Sequence, residues 1–147
     1  MKTVLIIGIN GFVGTHLCSE LSNNGYKCCG ADINSDNFSI EGVGFEKLDI
    51  LNADMVKDVI DRIKPDYVVN LAAISSVKQS WNIPGITFDI NVKGVINIFE
   101  AIKEIGITPR VLLIGSSEEY GLIKTNLLNN LSKFYHGNLL EAKDLPV

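Results

Sequence analysis

The sequence predicts an α/β fold, a doubly wound parallel β-sheet with helices on both faces. Five short runs rich in β-branched and other apolar residues alternate along the chain with segments of helical spacing. The runs are nearly continuous in apolar residues, as strands are when both faces of a sheet are covered. Right-handed connections between parallel strands then give the expected order 3-2-1-4-5.

Each predicted element follows from one of these two patterns. The predicted strands cover residues 4–7, 27–31, 45–48, 67–70 and 111–114. Three helices are predicted from apolar faces, which consist of Val13, Leu17 and Leu21; Met55, Val56, Val59, Ile60 and Ile63; and Val92, Val95, Ile96, Phe99 and Ile102. The breaks that end these helices are expected at Asn24-Gly25, Pro65-Asp66 and Gly106 with Pro109.

The predicted domain covers residues 1–121, and the pattern changes after Gly121. Residues 122–147 contain no clear strand and are expected to form an irregular or helical tail. One amphipathic helix is predicted there, through Leu127, Leu128, Leu131, Phe134 and Tyr135. Together with the uncovered edge of the fifth strand, this apolar tail predicts a homodimer.

Composition narrows the class of protein. A chain of 147 residues with 46% hydrophobic and 20% charged residues is typical of one globular domain. The net charge of −4, without a basic run, argues against a nucleic-acid or membrane partner. The apolar run after Lys2 is too short for a secretory signal, so we expect a first strand in a cytoplasmic protein.

The cysteines do not predict a disulfide or a metal site. Cys18, Cys28 and Cys29 are odd in number and lack a framework spacing, and adjacent residues of a strand point to opposite faces. With only His16 and His136 besides, we expect no metal and three cysteines that serve packing.

The strongest motif is the loop at residues 8–14, Gly-Ile-Asn-Gly-Phe-Val-Gly, between the first strand and the first helix. Gly8 suits a tight turn, Gly11 lets a pyrophosphate approach the backbone, and Gly14 lets the helix pack closely. The helix N-terminus offers N–H groups and a positive dipole end to phosphates. The loop therefore predicts a dinucleotide site, and the alternative is that these glycines serve only as a turn and a cap.

Acidic residues follow the second and third predicted strands. Asp32 can accept both hydroxyls of an adenosine ribose and would repel a 2′-phosphate, so it favours NAD over NADP. Asp49-Ile50 stands where an adenine amino group could be met. The alternatives are a surface turn for Asp32 and a helix cap for Asp49.

Two further loops carry polar side chains at the carboxyl ends of strands. After the fourth strand, small residues would let a cofactor pass, and Ser75 and Ser76 can reach a polar ligand. In residues 115–121, Ser116 could hydrogen-bond a substrate oxygen and Glu118 could act as a base if partly desolvated. An ordinary polar loop and a capped turn are the alternatives.

Taken together, these motifs resemble the extended short-chain dehydrogenase/reductases, in particular the NAD-dependent epimerase/dehydratase family. The matching residues are 8–14, Asp32, Asp49-Ile50, Leu71-Ala72-Ala73, Asn91-Val92-x-Gly94 and 116–121. Within this family, residues 75–81 and 115–121 are most similar to GDP-mannose 4,6-dehydratases and GDP-4-keto-6-deoxymannose reductases.

The resemblance implies NAD as cofactor, a nucleotide-sugar substrate and hydride transfer at C4 of the sugar. Ser116 would position the C4 oxygen, Glu118 would remove the C5 proton in a dehydratase, and Ser75 and Ser117 would contact the substrate. The implied cofactor-binding residues are Gly8, Asn10, Gly11, Phe12, Val13, Gly14, Asp32, Ile33, Asp49, Ile50, Leu71, Ala72, Ala73 and Asn91.

The sequence departs from the family in its catalytic pair. The family's Tyr-x-x-x-Lys is not found at its usual place, since Tyr135 is followed four residues later by Leu139. The match at Tyr120 and Lys124 falls in a predicted turn, where the two side chains would not share a helix face. From the length of the sequence we also expect that the family's second, substrate-binding domain is missing and that the chain is truncated before the catalytic helix. A non-catalytic NAD-binding module and one half of a split enzyme are the alternatives.

Overall fold

The computed structural model describes residues 1–35, 38 and 40–116. The chain divides into two compact units, Met1–Ile114 and Gly115–Val147. Every helix and strand among the described residues lies in the first unit. The predicted helix through residues 127–135 and the predicted boundary after residue 121 lie outside the described residues.

The first unit contains a parallel sheet of five strands in the order β3-β2-β1-β4-β5, which confirms the predicted fold class and order. The strand order reverses at β1, because β2 and β3 lie on one side of β1 and β4 and β5 lie on the other. In such sheets a ligand crevice opens at the carboxyl ends of the strands, at this switch point. The strands are β1 (Thr3–Ile7), β2 (Lys27–Asp32), β3 (Gly44–Lys47), β4 (Tyr67–Asn70) and β5 (Arg110–Leu113).

Helices connect the strands. They are α1 (Phe12–Asn23), α2 (Ala53–Ile63), α3 (Val77–Asn82), α4 (Pro84–Phe88) and α5 (Gly94–Ile105), with a π-helical turn (Asp89–Lys93) leading into α5. The sequence patterns did not predict α3 and α4. Both are short and contain no buried residue, so they lack the apolar periodicity that reveals a helix. None of the helices among the described residues is long and apolar enough to cross a membrane.

Alternate residues of β1 point to opposite faces of the sheet and join two separate cores. Fully burying a valine, leucine or isoleucine side chain typically stabilises a fold by about 1.5–3 kcal/mol. The core on the α1 face consists of Val4, Ile6, Ile9, Cys18, Cys28 and Val69. The core on the face of α2 and α5 consists of Leu5, Ile7, Ala31, Leu48, Ile50, Val56, Val59, Ile60, Val68, Ile98 and Ala101.

The predicted helix faces are confirmed for α2 and partly wrong for the other two helices. In α2, the apolar residues Val56, Val59 and Ile60 are buried as predicted. In α1 the buried residues are Gly14 and Cys18, whereas Val13 is exposed at the start of the helix.

In α5 the buried residues are Gly94, Ile98 and Ala101, while Ile96 and Phe99 are exposed. Val92, which was predicted to share their face, lies in the preceding π-helical turn and is also exposed. The helix is apolar on two sides, and the close contact of Gly94 with Ile50 decides which side faces the core.

The predicted helix ends are confirmed. Gly25 and Gly106 both have left-handed backbone angles, with φ of 80° and 76°, directly after α1 and α5. Helix α2 ends at Ile63, and its C-cap residue Lys64 takes φ 45° immediately before Pro65. The residue before a proline is disfavoured in the α-helical region, so α2 cannot continue there.

Candidate functional site

The glycine loop is held tightly between neighbouring strands. Gly8 has φ 83°, and its N–H donates a hydrogen bond to the carbonyl oxygen of Ala31 at 2.8 Å. A Cβ at Gly8 would lie 2.7 Å from the backbone nitrogen of Ala72, in the loop that follows β4. Both the backbone angle and the space therefore require glycine at this position.

Ile9 anchors the loop in the core, and the sequence patterns did not single it out. Its side chain is fully buried, and a Cβ at Gly30 would lie 2.5 Å from its Cδ1 atom. A Cβ at Gly14 would clash with the carbonyl oxygen of Ile9. A glycine inside a strand, such as Gly30, is the sequence signal for this close approach.

The start of α1 is open to a ligand. Gly11 is the N-cap residue, so it supplies no side-chain hydrogen bond, and the first turn contains no acidic residue. The first N–H groups of a helix have no partner within the helix, and the dipole is positive at this end. Gly11, Phe12 and Val13 are all exposed. This arrangement suits an anionic group such as a pyrophosphate.

Asp32 lies at the end of β2, beside the glycine loop. Its Oδ2 atom accepts a hydrogen bond from the N–H of Asn10 at 3.1 Å, and its Oδ1 atom accepts one from the N–H of Asn34 at 3.2 Å. The Asn10 side chain in turn donates to the carbonyl oxygen of Asn34. A carboxylate has acceptor capacity for further hydrogen bonds, so a fixed Asp32 can still receive ribose hydroxyls. The neighbouring Ile33 is exposed.

In the loop after β3, Asp49 and Asn52 have different roles. Asp49 Oδ1 accepts a hydrogen bond from the N–H of Leu51 at 2.9 Å, whereas the N-cap of α2 is Asn52. The alternative interpretation of Asp49 as the helix cap is therefore wrong. Ile50 between them has a buried side chain in the core on the face of α2 and α5.

The loop after β4 is shaped by two asparagines. Asn70 is a buried polar residue, and its Oδ1 atom accepts a hydrogen bond from the N–H of Ala72 at 3.2 Å. Asn91 Oδ1 accepts from the N–H of Ile74 at 2.8 Å, and its Nδ2 donates to the carbonyl oxygen of Ile74 at 3.0 Å. Leu71 and Ala72 are half-buried, and Ala73 is exposed.

Of the four predicted catalytic and substrate-binding residues, the structure describes two, Ser75 and Ser116. Ser75 is exposed, while the adjacent Ser76 caps α3 by accepting from the N–H of Gln79 at 3.3 Å. Ser116 belongs to the second unit and is exposed. Ser117 and Glu118 lie outside the described residues. No group of three or more metal-ligating side chains occurs in the described part of the chain.

The residues around the glycine loop fit a dinucleotide such as NAD. An open helix start for the pyrophosphate and a fixed carboxylate for a ribose lie side by side, joined through the hydrogen bond between Asn10 and Asp32. A Cβ at Gly11 would point into space that is open apart from the Gly8 carbonyl oxygen at 3.2 Å, so glycine keeps room there for a ligand.

Comparison with known proteins identifies relatives by sequence. The sequence profile of the NAD dependent epimerase/dehydratase family matches residues 4–135. GDP-mannose 4,6 dehydratase 2 of Arabidopsis thaliana is 32% identical over an alignment of 139 positions, which covers 82% of this chain and 37% of that protein. GDP-mannose 4,6-dehydratase of Vibrio cholerae is 27% identical and is matched by 91% of this chain over 40% of its own length. The chain thus spans about two fifths of these relatives.

Solved structures show the same fold. UDP-glucose-4-epimerase from Stenotrophomonas maltophila, with bound NAD and formylated UDP-arabinopyranose, has a TM-score of 0.74 and 28% identity over 82% of this chain and 39% of its own. UDP-glucose 4-epimerase from Brucella ovis in complex with NAD has a TM-score of 0.75 and 25% identity over 83% of this chain and 38% of its own.

Proposed function

The chain belongs to the NAD dependent epimerase/dehydratase family, and we propose that its first unit is the part of such an enzyme that binds NAD. The observation that carries the proposal is the glycine loop, open at the start of α1 and hydrogen-bonded through Asn10 to Asp32. The family depends on NAD, and structural neighbours were crystallised with it.

Each part of the site has a role toward the dinucleotide. The N–H groups of Phe12 and Val13 at the start of α1 would bind the pyrophosphate, while the Gly11 N–H donates to the carbonyl oxygen of Gly8. Asp32 would accept the hydroxyls of the adenosine ribose, next to the exposed Ile33. The remaining cofactor contacts are assigned to the loops after β3 and β4 and to the π-helical turn, through Asp49, Ile50, Leu71, Ala72, Ala73 and Asn91.

The reaction proposed for the complete enzyme is oxidation or reduction at C4 of a nucleotide sugar. NAD supplies the hydride acceptor for this chemistry when it is bound. Ser116 would hold the C4 oxygen by a hydrogen bond, and Glu118 would take up the C5 proton if the enzyme is a dehydratase. Ser75 and Ser117 would contact the sugar.

The substrate class rests on the named relatives. They include enzymes of GDP-mannose and of UDP-glucose, so a nucleotide sugar is the feature they share. GDP-mannose is the substrate favoured by the similarity of residues 75–81 and 115–121 to the GDP-mannose dehydratases.

The test is calorimetric titration of the full chain with NAD and with NADP. We expect NAD to bind more tightly, because the carboxylate of Asp32 repels a 2′-phosphate. Asp32→Ala should weaken NAD binding by about tenfold and reduce the preference. Lys47 is in register with Asp32 on the neighbouring strand, so Lys47→Ala tests whether a cation offsets this repulsion for NADP.

Two results would contradict the proposal. One is a wild-type chain that binds neither dinucleotide, and the other is NADP binding as tight as that of NAD. If Asp32→Ala left NAD affinity unchanged, Asp32 would not hold the ribose, and a loss of NADP affinity in Lys47→Ala would assign the 2′-phosphate of NADP to Lys47.

A further inference from the structure

Two asparagines on one continuous helical segment hold the backbones of two different loops. Asn91, in the π-helical turn, binds both the N–H and the carbonyl oxygen of Ile74, at 2.8 and 3.0 Å. Asn97, in α5, donates from Nδ2 to the carbonyl oxygen of Ile50 at 2.9 Å. Ile74 follows β4 and Ile50 follows β3, so the segment links the carboxyl ends of two strands that are not neighbours.

Gly94 lies between the two asparagines and brings the helix against the same loop. A Cβ at Gly94 would lie 2.9 Å from both Cγ atoms of Ile50, and Gly94 is buried. Asn97 therefore holds the backbone of Ile50 while Gly94 accommodates its side chain. One helix thus contacts both the backbone and the side chain of Ile50.

The π-helical turn explains how one segment reaches both loops. In a regular α-helix, residues six positions apart point about 120° away from each other. A π-turn adds a residue to the turn, changes this direction, and occurs frequently at functional sites. Here it precedes α5 immediately and contains Asn91, while Asn97 lies in the regular helix that follows.

The two loops belong to opposite halves of the proposed cofactor site. Ile50 follows β3, on the side of Asp32 and the adenosine ribose. Ile74 follows β4, on the other side of β1. In a doubly wound sheet the two nucleotides of a dinucleotide lie on either side of the switch point.

We propose that Asn97 and Asn91 are positioning residues that set the adenosine-side and the nicotinamide-side loops of the site, respectively. The proposal rests on the proposed function, since it assigns the loops to the two halves of NAD. Asn97 needs no contact with the cofactor for this role, because it acts through the backbone of Ile50. Asn91 holds the backbone of Ile74 in addition to the cofactor contact assigned to it above, and the readout without ligand isolates this positioning role.

The test compares AMP with NAD in calorimetric titrations of the full chain. Asn97→Ala should weaken AMP and NAD binding alike, by about 2- to 10-fold, the effect of losing one hydrogen bond. Asn91→Ala should weaken NAD binding to a similar degree and leave AMP binding unchanged. Ile102→Val, which trims a half-buried α5 side chain packed against the core, is the matched control and should change neither affinity.

A readout without ligand tests the two contacts separately. Hydrogen exchange at the amide of Ile74 should accelerate in Asn91→Ala but not in Asn97→Ala, because Asn91 accepts that N–H. The amide resonance of Leu51, which shares a peptide bond with the Ile50 carbonyl, should move in Asn97→Ala only. The variant Asn91→Asp retains the acceptor for the Ile74 N–H but turns the donor to the Ile74 carbonyl into an oxygen, so the exchange rate of Ile74 should lie between those of wild type and Asn91→Ala.

The outcomes separate this inference from the proposed function. If AMP and NAD weakened equally in both asparagine variants, the assignment of loops to cofactor halves would be overturned. Unchanged amide readouts would show that the asparagines do not hold the loops. A wild-type chain that bound neither ligand would instead overturn the proposed function, and the amide readouts would still decide whether each contact exists.

Discussion

Ile9 shows how single residues place the site. Its side chain occupies space that glycine leaves at position 30, and its carbonyl oxygen faces Gly14. Glycines at positions 8 and 14 could be recognised from their spacing in the sequence, but the buried residue between them could not. Its role depends on Gly30, which is distant in sequence and becomes a neighbour only when β1 pairs with β2.

The role of Asp32 could be predicted from the sequence, whereas that of Asn97 could not. Asp32 was predicted because a carboxylate at the end of a second strand has a known chemical use. Asn97 makes a hydrogen bond to a carbonyl group 47 positions away, and the chemistry of its side chain does not specify that partner. Contacts to the backbone of distant loops therefore remain beyond what a sequence pattern can predict.

Burial also controls the chemistry of Cys18. Desolvation, followed by the neighbouring Cys28, raises the pKa of Cys18 from 9.0 to about 11. Between these two values the native chain retains a proton that the unfolded chain has lost, so stability must fall as pH rises through this window. The loss should amount to about 2 kcal/mol at about pH 10.5.

Urea unfolding at about pH 8 and about pH 10.5 measures this effect. Cys18→Ala is the control, since it removes the titrating thiol, and it should lose less stability than wild type between the two conditions. An equal loss in both proteins would show that Cys18 does not contribute to alkaline destabilisation.

Single elements show where helical periodicity succeeds and where it fails. Helix α2 presents one apolar face, so its buried residues were predicted correctly. Helix α5 is apolar on two sides, and only the tertiary contact of Gly94 with Ile50 decides which side is buried. The short helices α3 and α4 contain no buried residue, and the sequence patterns did not predict them.

The end of α2 contains local strain that a substitution can relieve. Lys64 takes φ 45°, a left-handed angle that costs a residue with a Cβ roughly 1 kcal/mol. Lys64→Gly should therefore raise the free energy of unfolding by up to about 1 kcal/mol. Its ion pair with Asp61 at 3.8 Å is exposed and contributes little.

Chemical denaturation of wild type, Lys64→Gly and Lys64→Ala tests this. Lys64→Ala removes the charge but keeps the Cβ, so it should resemble wild type. If both variants changed stability equally, the charge rather than the backbone angle would be responsible.

At the scale of the whole molecule, the sheet order was predictable because right-handed connections restrict the topologies of alternating strands and helices. The predicted homodimer stays a prediction, and exposed apolar residues support it. Leu112 and Ile114, at the β5 edge of the sheet, are 53% and 62% exposed. Among the described residues, β5 pairs with a strand on one side only, and an edge strand and an apolar patch both favour association with a second copy.

We expect light scattering to show a dimer of the wild-type chain at high micromolar concentration. A charged residue introduced on β5 should shift the equilibrium toward the monomer. Leu112→Lys is the variant, and Ile86→Lys is the control, since Ile86 is similarly exposed at 52% but lies in α4. A monomeric wild-type chain, or equal effects of both substitutions, would contradict an interface at the edge of the sheet.

NAD binding by Gly11→Ala tests the proposed site most directly. Gly11 has φ −70° and ψ 167°, which alanine adopts readily. The added Cβ would lie 3.2 Å from the Gly8 carbonyl oxygen, which a shift of a few tenths of an ångström relieves, so the variant should fold. Its methyl group would project where the pyrophosphate is proposed to approach, and NAD affinity should fall by about tenfold or more. Gly85→Ala, whose added Cβ meets no neighbouring atom, is the matched control and should bind NAD as wild type does. If Gly11→Ala bound NAD as tightly as Gly85→Ala, the pyrophosphate would not lie on the glycine loop, and the central claim would be wrong.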